Sequence, residues 1–159
     1  MTTTQRGVLK TEIGWREIVG LSTLEIPALH AKIDTGARTS ALNAVIIREF
    51  EREGEMWVEF DVTFTEDRHV QRCLAPIADK REIKNTSGIP ELRYVIETQL
   101  TLGSRQWQIE LSLADREPMT FDLILGRTAL RNRRICINPG RSFLSGLPAH
   151  PMPANDQTV

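Results

Sequence analysis

The sequence predicts an all-β domain, a barrel or a sandwich, because short apolar segments alternate with turns along most of the chain. In the clearest segment, residues 56–65, polar and hydrophobic side chains alternate with the period of two expected of a half-buried strand. Residues 94–102 and 107–113 repeat this pattern, and Gly103 with the serine after it supplies a turn between them. The second pair therefore predicts a β-hairpin.

The other elements are predicted from apolar runs bounded by turn-forming Gly, Asp, Asn or Pro. Strands are expected at 13–19, 29–33, 69–77, 121–125 and 134–138, with a short turn followed by a strand over 40–47 and one helical turn at 128–132. Residues 78–92 are polar and rich in turn formers. We expect residues 1–10 to be a flexible leader, 11–145 a single domain, and the Pro-rich residues 146–159 a flexible tail.

Composition limits the classes of function. Hydrophobic residues make up 40% of the 159-residue chain and charged residues 26%, which fits one globular domain. A formal charge of −1 predicts neither a nucleic-acid nor a membrane partner, and no apolar run is long enough to span a bilayer. A cytoplasmic location is expected.

Two short motifs carry the candidate chemistry. Asp34-Thr35-Gly36-Ala37 follows an apolar strand directly, although such a tripeptide also suits an ordinary strand-ending turn. Near the end of the domain, the apolar residues 123–125 run into Gly126-Arg127 and then the predicted helical turn. This second motif could equally be a buried strand before a helix cap, so the order of the two motifs is what points to a function.

Together the motifs resemble the retropepsins, the single-domain aspartic peptidases typified by the retroviral enzymes. The resemblance implies a closed β-barrel with one short helix, in which Asp34, Thr35 and Gly36 form the catalytic loop. The apolar segment would thread beneath that loop, with Gly126 permitting a close backbone approach. Residues 83–92 occupy the position of the flap, the mobile hairpin that closes over substrate. A β-hairpin between residues 50 and 77 has no retroviral counterpart and is predicted to be an insertion.

More narrowly, residues 31–42 and 125–130 resemble a bacterial and archaeal family whose members carry the label ATP-dependent zinc protease. The family is assigned a retropepsin-like fold. Some members, called RimB, are associated with the ATP-grasp ligase RimK, which adds glutamates to a ribosomal protein. The resemblance therefore implies a functional link to a RimK-like ligase.

Aspartic peptidases use two carboxyl groups that share one proton. This chain has one Asp-Thr-Gly loop, so a symmetric homodimer is predicted to bring two copies of Asp34 together. Asp122 is an alternative partner within the chain, although a solvent-facing aspartate at a strand start is the simpler interpretation.

The zinc and ATP of the family label find little support in the residues. The three histidines are His30, His69 and His150, and neither a His-Glu-x-x-His helix nor a phosphate-binding Gly-x-x-x-x-Gly-Lys-Ser/Thr loop is present. His69 and Cys73 have i, i+4 spacing, which suits a metal on a helix, but a strand is predicted there. We expect neither a metal nor another cofactor.

Arginines near the motifs suggest a cationic cleft for acidic peptides, such as the glutamate-rich tail of a ribosomal protein. Arg127 could instead brace the fold. The predicted substrate-binding residues are Ala37, Arg38, Asn85, Gly88, Arg93, Gly126 and Arg127. Two alternatives to an aspartic endopeptidase stay open, a non-catalytic binding module of the same fold and a zinc-dependent peptidase.

Overall fold

The structure, a computed structural model, describes residues 10–84, 87–115 and 120–149. Strands in chain order are β1 (Thr11–Leu21), β2 (Ile26–Asp34), β3 (Ser40–Asn43), β4 (Val45–Arg52), β5 (Glu55–Thr63), β6 (Val70–Pro76), β7 (Asp79–Lys84), β8 (Pro90–Leu102), β9 (Arg105–Ala114), β10 (Leu123–Gly126) and β11 (Ile135–Ser142). A 3₁₀ turn (Ser22–Leu24) follows β1, and helix α1 (Arg127–Leu130) follows β10. No helix among these residues is long and apolar enough to cross a membrane.

Six strands close into a barrel. The main sheet has the order β11-β1-β2-β10-β3-β9-β8-β7, and β1 also pairs with β8 through Gly20 opposite Thr101 and Leu21 opposite Leu100. This last pairing joins the two ends of the run from β1 to β8, while β11 and β7 extend the sheet beyond it. The predicted all-β closed barrel with one short helix is confirmed.

The insertion is larger than predicted. Strands β4, β5 and β6 form a separate three-stranded sheet, so the expected hairpin gains a third strand. The short turn followed by a strand predicted over 40–47 is wrong, because two strands occupy this range: β3 of the barrel ends at Asn43, and β4 of the insertion begins at Val45. Ala44 is buried and donates its N–H to the Ala114 carbonyl oxygen at 3.1 Å. The alternation of apolar residues does not reveal this change of sheet, because neither strand alternates: the first three residues of β3 are all buried, and no residue of β4 is fully buried.

The insertion and the barrel share one hydrophobic core. Val58, Phe60 and Val62 on the inner face of β5 are fully buried, as are Leu100 and Leu111 of the barrel. All five belong to the same cluster of contacting side chains. The inserted sheet is therefore packed onto the barrel and cannot move as an independent lobe without exposing apolar surface.

The segment that follows β11 is fastened to β1. The carboxylate of the fully buried Glu17 accepts backbone N–H groups from Gly14 at 2.8 Å and from Leu144 and Ser145 at 2.9 Å. Burying this charge is tolerated because three donors replace its water. Ala149 also donates its N–H to the Gly103 carbonyl at 2.8 Å. The limits of the leader, domain and tail stay predictions.

Candidate active site

Asp34 is the last residue of β2, and the loop after it folds back onto its carboxylate. Oδ1 of Asp34 accepts the backbone N–H groups of Gly36 at 3.1 Å and Ala37 at 3.3 Å. No described residue makes a hydrogen bond to Oδ2, and the side chain is partly exposed. One carboxylate oxygen therefore orders the loop, and the other is left without a hydrogen-bond donor among the described residues.

The second motif lies directly beneath this loop. Strand β10 runs parallel to β2 and places Gly126 opposite Asp34. A Cβ atom on Gly126 would lie 2.6 Å from the Thr39 carbonyl oxygen and 2.9 Å from that of Ala37. The N–H of Gly126 donates to the Ser40 hydroxyl at 3.0 Å. Only glycine fits at this position without displacing the loop backbone.

Arg127 and Thr128, the first residues of α1, hold the same loop from one side. The N–H of Arg127 donates to the Ala37 carbonyl at 2.9 Å, and its guanidinium donates to the Gly36 carbonyl at 3.1 Å. The Thr128 hydroxyl donates to the Arg38 carbonyl at 2.7 Å. These contacts favour the bracing interpretation of Arg127.

A cleft of about 930 Å³ opens beside the loop that follows Asp34. One wall contains Arg38 and Thr39 of that loop together with Thr128 and Arg131 around α1. The opposite wall is residues 81–83 of β7 with residues 108–110 of β9. Strand β7 pairs with β8 to form the hairpin predicted to be the flap, so this hairpin borders the cleft.

The other predicted substrate-binding residues lie in several places. Arg93 is only 5% exposed, and its guanidinium donates to the Glu91 carboxylate at 3.3 Å. Gly88 is exposed near the hairpin tip with a φ of +75°, which suits glycine. Asn85 lies outside the described residues.

Arg81 lines the cleft but was not predicted from the sequence, because residues 78–92 were interpreted as turns. Counting alternate positions across 79–84 could have placed Arg81 on one face of a strand.

The described residues do not fit the zinc named in the family label. Among them, no three His, Cys, Asp or Glu side chains converge as metal ligands. Burial raises the pKa of the Cys73 thiol to about 11, so the thiolate that zinc prefers is disfavoured. His69 instead donates to or accepts from Asp67 at 2.9 Å and stacks on Phe64.

Asp122 has a structural position that the sequence interpretation got wrong. The residue is 2% exposed rather than solvent-facing. Its Oδ1 accepts the N–H of Thr65 at 2.9 Å, and Oδ2 accepts the N–H of His30 at 3.4 Å. Thr65 follows the insertion strand β5 and His30 lies on β2. Asp122 therefore fastens the inserted sheet to the barrel.

We expect Asp122→Ala to lower stability without changing the activity of each folded molecule. Every buried N–H left without an acceptor costs about 1–3 kcal/mol, and each kcal/mol shifts the melting temperature by about 2–4 °C at this size. Asp122→Asn, which keeps one carbonyl acceptor, should lose less. The exposed Glu55→Ala serves as the control. A melting temperature of Asp122→Ala equal to that of the control would contradict this role.

Comparison with known proteins agrees with the site geometry. Residues 12–147 match the family model RimB-like, described as retropepsin-like aspartic endopeptidase RimB. The chain belongs to the RimB-like family. This confirms the family resemblance found in the two motifs, and the match covers the barrel, the insertion and both motifs of the candidate site.

Relatives and a solved structure agree with this assignment. The chain is 45% identical over 130 residues to a protein named "Probable alpha-L-glutamate ligase" from Desulfotalea psychrophila, and 40% identical over 136 residues to one of the same name from Shewanella pealeana. These alignments cover 80% and 84% of the chain but only 28% and 30% of the relatives. A crystal structure of a Legionella pneumophila protein of unknown function superimposes with a TM-score of 0.73 at 26% identity, covering 85% of this chain and 98% of the other.

Proposed function

We propose that this RimB-like protein is an aspartic endopeptidase that works as a symmetric homodimer. The observation that carries the proposal is the partly exposed Asp34, whose Oδ1 orders its own loop with the help of Arg127 and whose Oδ2 accepts no hydrogen bond from a described residue. A second copy of the loop would supply the other carboxyl. One carboxylate then takes a proton from water, while the protonated partner polarises the scissile carbonyl. The hydroxide oxygen bonds to that carbon, and the peptide nitrogen leaves with a proton.

The free edge of the main sheet supports the dimer. Strand β11 pairs with β1 on one side, and no described strand pairs with its other side. Retropepsins are expected to associate through their chain ends, which here are residues 135–138 and the strand around Trp15. Trp15 is half-buried and packs edge-on against Phe121. An isologous contact at this edge would place one Asp34 from each subunit near the two-fold axis.

We propose acidic peptides as the substrates, and a glutamate-rich tail of a ribosomal protein as the candidate. Arg38 and Arg131 line the cleft without a described carboxylate partner. Arg81 is already held by Asp79 at 2.8 Å and by Glu110 at 3.2 Å, and both carboxylates raise the pKa of its guanidinium. Two unpaired guanidinium groups beside the catalytic loop suit carboxylate side chains. The relatives named as glutamate ligases support a functional link to a RimK-like ATP-grasp ligase.

Removing the unpaired arginines is expected to reduce the preference for acidic peptides. Arg38→Gln or Arg131→Gln should lower kcat/KM for an oligoglutamate peptide by about three- to tenfold, because each change removes a charged hydrogen-bond donor. Cleavage of the matched oligoglutamine peptide should change little, and added salt should shrink the difference. Arg68→Gln, on an exposed turn, is the control. Equal losses on both peptides would contradict carboxylate recognition by these residues.

A further inference from the structure

The inserted sheet and the β7–β8 hairpin meet at one polar cluster. Glu49 of β4 is half-buried, and its carboxylate accepts hydrogen bonds from the Lys80 ammonium group at 2.9 Å and from the Tyr94 hydroxyl. Lys80 and Tyr94 lie directly opposite each other on β7 and β8. The Lys80 nitrogen also lies 5.5 Å from the centre of the Tyr94 ring. One carboxylate therefore joins both strands of the hairpin to the insertion.

The hydrogen bond from Lys80, with a second from Tyr94, holds the pKa of Glu49 below its ordinary value. Glu49 is therefore ionised at neutral pH. The contact between Glu49 and Lys80 is a charge-assisted hydrogen bond, the stronger class of hydrogen bond in proteins.

The two faces of β7 have different partners. Successive side chains of a strand point to opposite faces, so Lys80 contacts the insertion while its neighbour Arg81 lies on the other face. Arg81 lines the cleft beside the catalytic loop and pairs with Glu110 of β9. A shift of β7 relative to the insertion would therefore move the cleft wall relative to Asp34.

The connection between the insertion and the hairpin is short. Only Ile77 and Ala78 separate β6 from β7, and both are hydrogen-bonded through their backbone. Ile77 donates its N–H to the Met56 carbonyl at 2.9 Å, and Ala78 donates to that of Val95 at 2.8 Å. Since the inner face of the insertion is part of the barrel core, the insertion is a fixed support for one end of the hairpin.

We propose that Glu49 is a positioning residue that fixes the β7 wall of the substrate cleft by holding Lys80 and Tyr94 against the inserted sheet. This inference rests on the proposed peptidase function, because the cleft is taken to bind the peptide. The insertion thus supports the hairpin from the face of β7 that carries Lys80, while the opposite face, which carries Arg81, lines the cleft. Without the Glu49 contacts, the hairpin should occupy the substrate-binding position for a smaller fraction of the time.

The test compares Glu49→Gln with Glu51→Gln, an exposed residue of the same strand without a described side-chain partner. We expect Glu49→Gln to raise the KM for an oligoglutamate peptide by about three- to tenfold, since it weakens a charged hydrogen-bond cluster. The value of kcat should stay within about twofold, because Glu49 does not touch the reacting atoms. Tyr94→Phe should give a smaller rise in KM, and Glu51→Gln none.

Hydrogen–deuterium exchange separates this inference from the proposed function. Glu49→Gln should speed the exchange of β7 amides, while amides of β2 and β9 exchange as in the wild type, whether or not any peptide is cleaved. A wild type that cleaves no peptide, with faster β7 exchange in the variant, would refute the peptidase but keep the hairpin support. Unchanged β7 exchange and unchanged KM would overturn the inference. Faster amide exchange throughout Glu49→Gln, with a lower melting temperature, would also overturn the inference, because Glu49 would then stabilise the whole fold and not the position of β7.

Discussion

Replacement of Asp34 by Asn is expected to lower peptide cleavage by about 10²–10⁴-fold, the contribution typical of a positioned acid–base group. Asn has nearly the same shape, and its amide oxygen can still accept the N–H groups of Gly36 and Ala37. The loop should therefore keep its conformation. An amide cannot share a proton with the partner carboxyl, so activation of the attacking water is lost.

The measurement is kcat/KM on an oligoglutamate peptide, with melting temperature and sedimentation as checks of fold and association. Asp67→Asn, an exposed turn residue, is the control and should retain full activity. Retention of more than a tenth of wild-type cleavage by Asp34→Asn would contradict the proposed role. A wild type that binds acidic peptides tightly but never cleaves them would indicate a binding module.

Mixing the wild type with Asp34→Asn tests whether the active site needs a dimer. If each active site needs one Asp34 from each chain, an equal mixture of wild type and Asp34→Asn should contain about one quarter wild-type dimers after subunit exchange. Activity should therefore fall to about half that of the same wild-type protein left unmixed. A mixture with undiminished activity, from a protein that sediments as a monomer, would show that one chain is sufficient.

Gly126→Ala is expected to have the largest effect on stability among single changes near the site. The added Cβ would lie 2.6 Å from the Thr39 carbonyl oxygen, and that oxygen belongs to the backbone and cannot rotate away. Overpacking typically costs about 1–3 kcal/mol, and the upper end applies because backbone must shift. The melting temperature should fall by about 6–12 °C at this chain length.

The same change should impair cleavage by the molecules that remain folded. Movement of the Ala37–Thr39 backbone away from the new methyl group would displace the loop that holds Asp34. Gly140→Ala is the matched control, because its nearest neighbour would be the Asn138 side-chain oxygen at an ordinary 3.5 Å. A melting temperature of Gly126→Ala within about 2 °C of that of the wild type would contradict the close approach of β10 to the loop that follows Asp34.

The core of the candidate site could be predicted because its signals are local. Asp34 follows an apolar strand, and Gly126 follows three apolar residues before a short helix, so both motifs can be recognised from neighbouring residues. The long hairpin β8–β9 was equally clear from period-two alternation and its turn. These features depend on contacts between residues close in the chain or on backbone demands of a single residue.

Other features depend on partners distant in the chain, which alternation does not identify. Neither β3 nor β4 shows alternating burial, so the pattern of apolar residues did not mark the change from barrel to insertion at Ala44. Asp122 was expected to face solvent, because the sequence does not show which donors lie near its carboxylate. The N–H groups of Thr65 and His30 reach that carboxylate only when the insertion packs on the barrel. No sequence pattern singled out Glu49, because its partner Lys80 comes next to it only in the folded chain.

The sequence by itself determined the strand-rich class, the catalytic-loop motif, its glycine partner and the family. Side-chain periodicity encodes the class, the glycine follows from a backbone demand that few residues meet, and the family follows from the resemblance carried by the two motifs. Only the tertiary structure decided which strands close the barrel, that Arg81 lines the cleft, and that Glu49 contacts Lys80 of the hairpin. A polar side chain acquires such a role from the donors, acceptors and charges brought to it by folding, and its own position in the chain does not specify them.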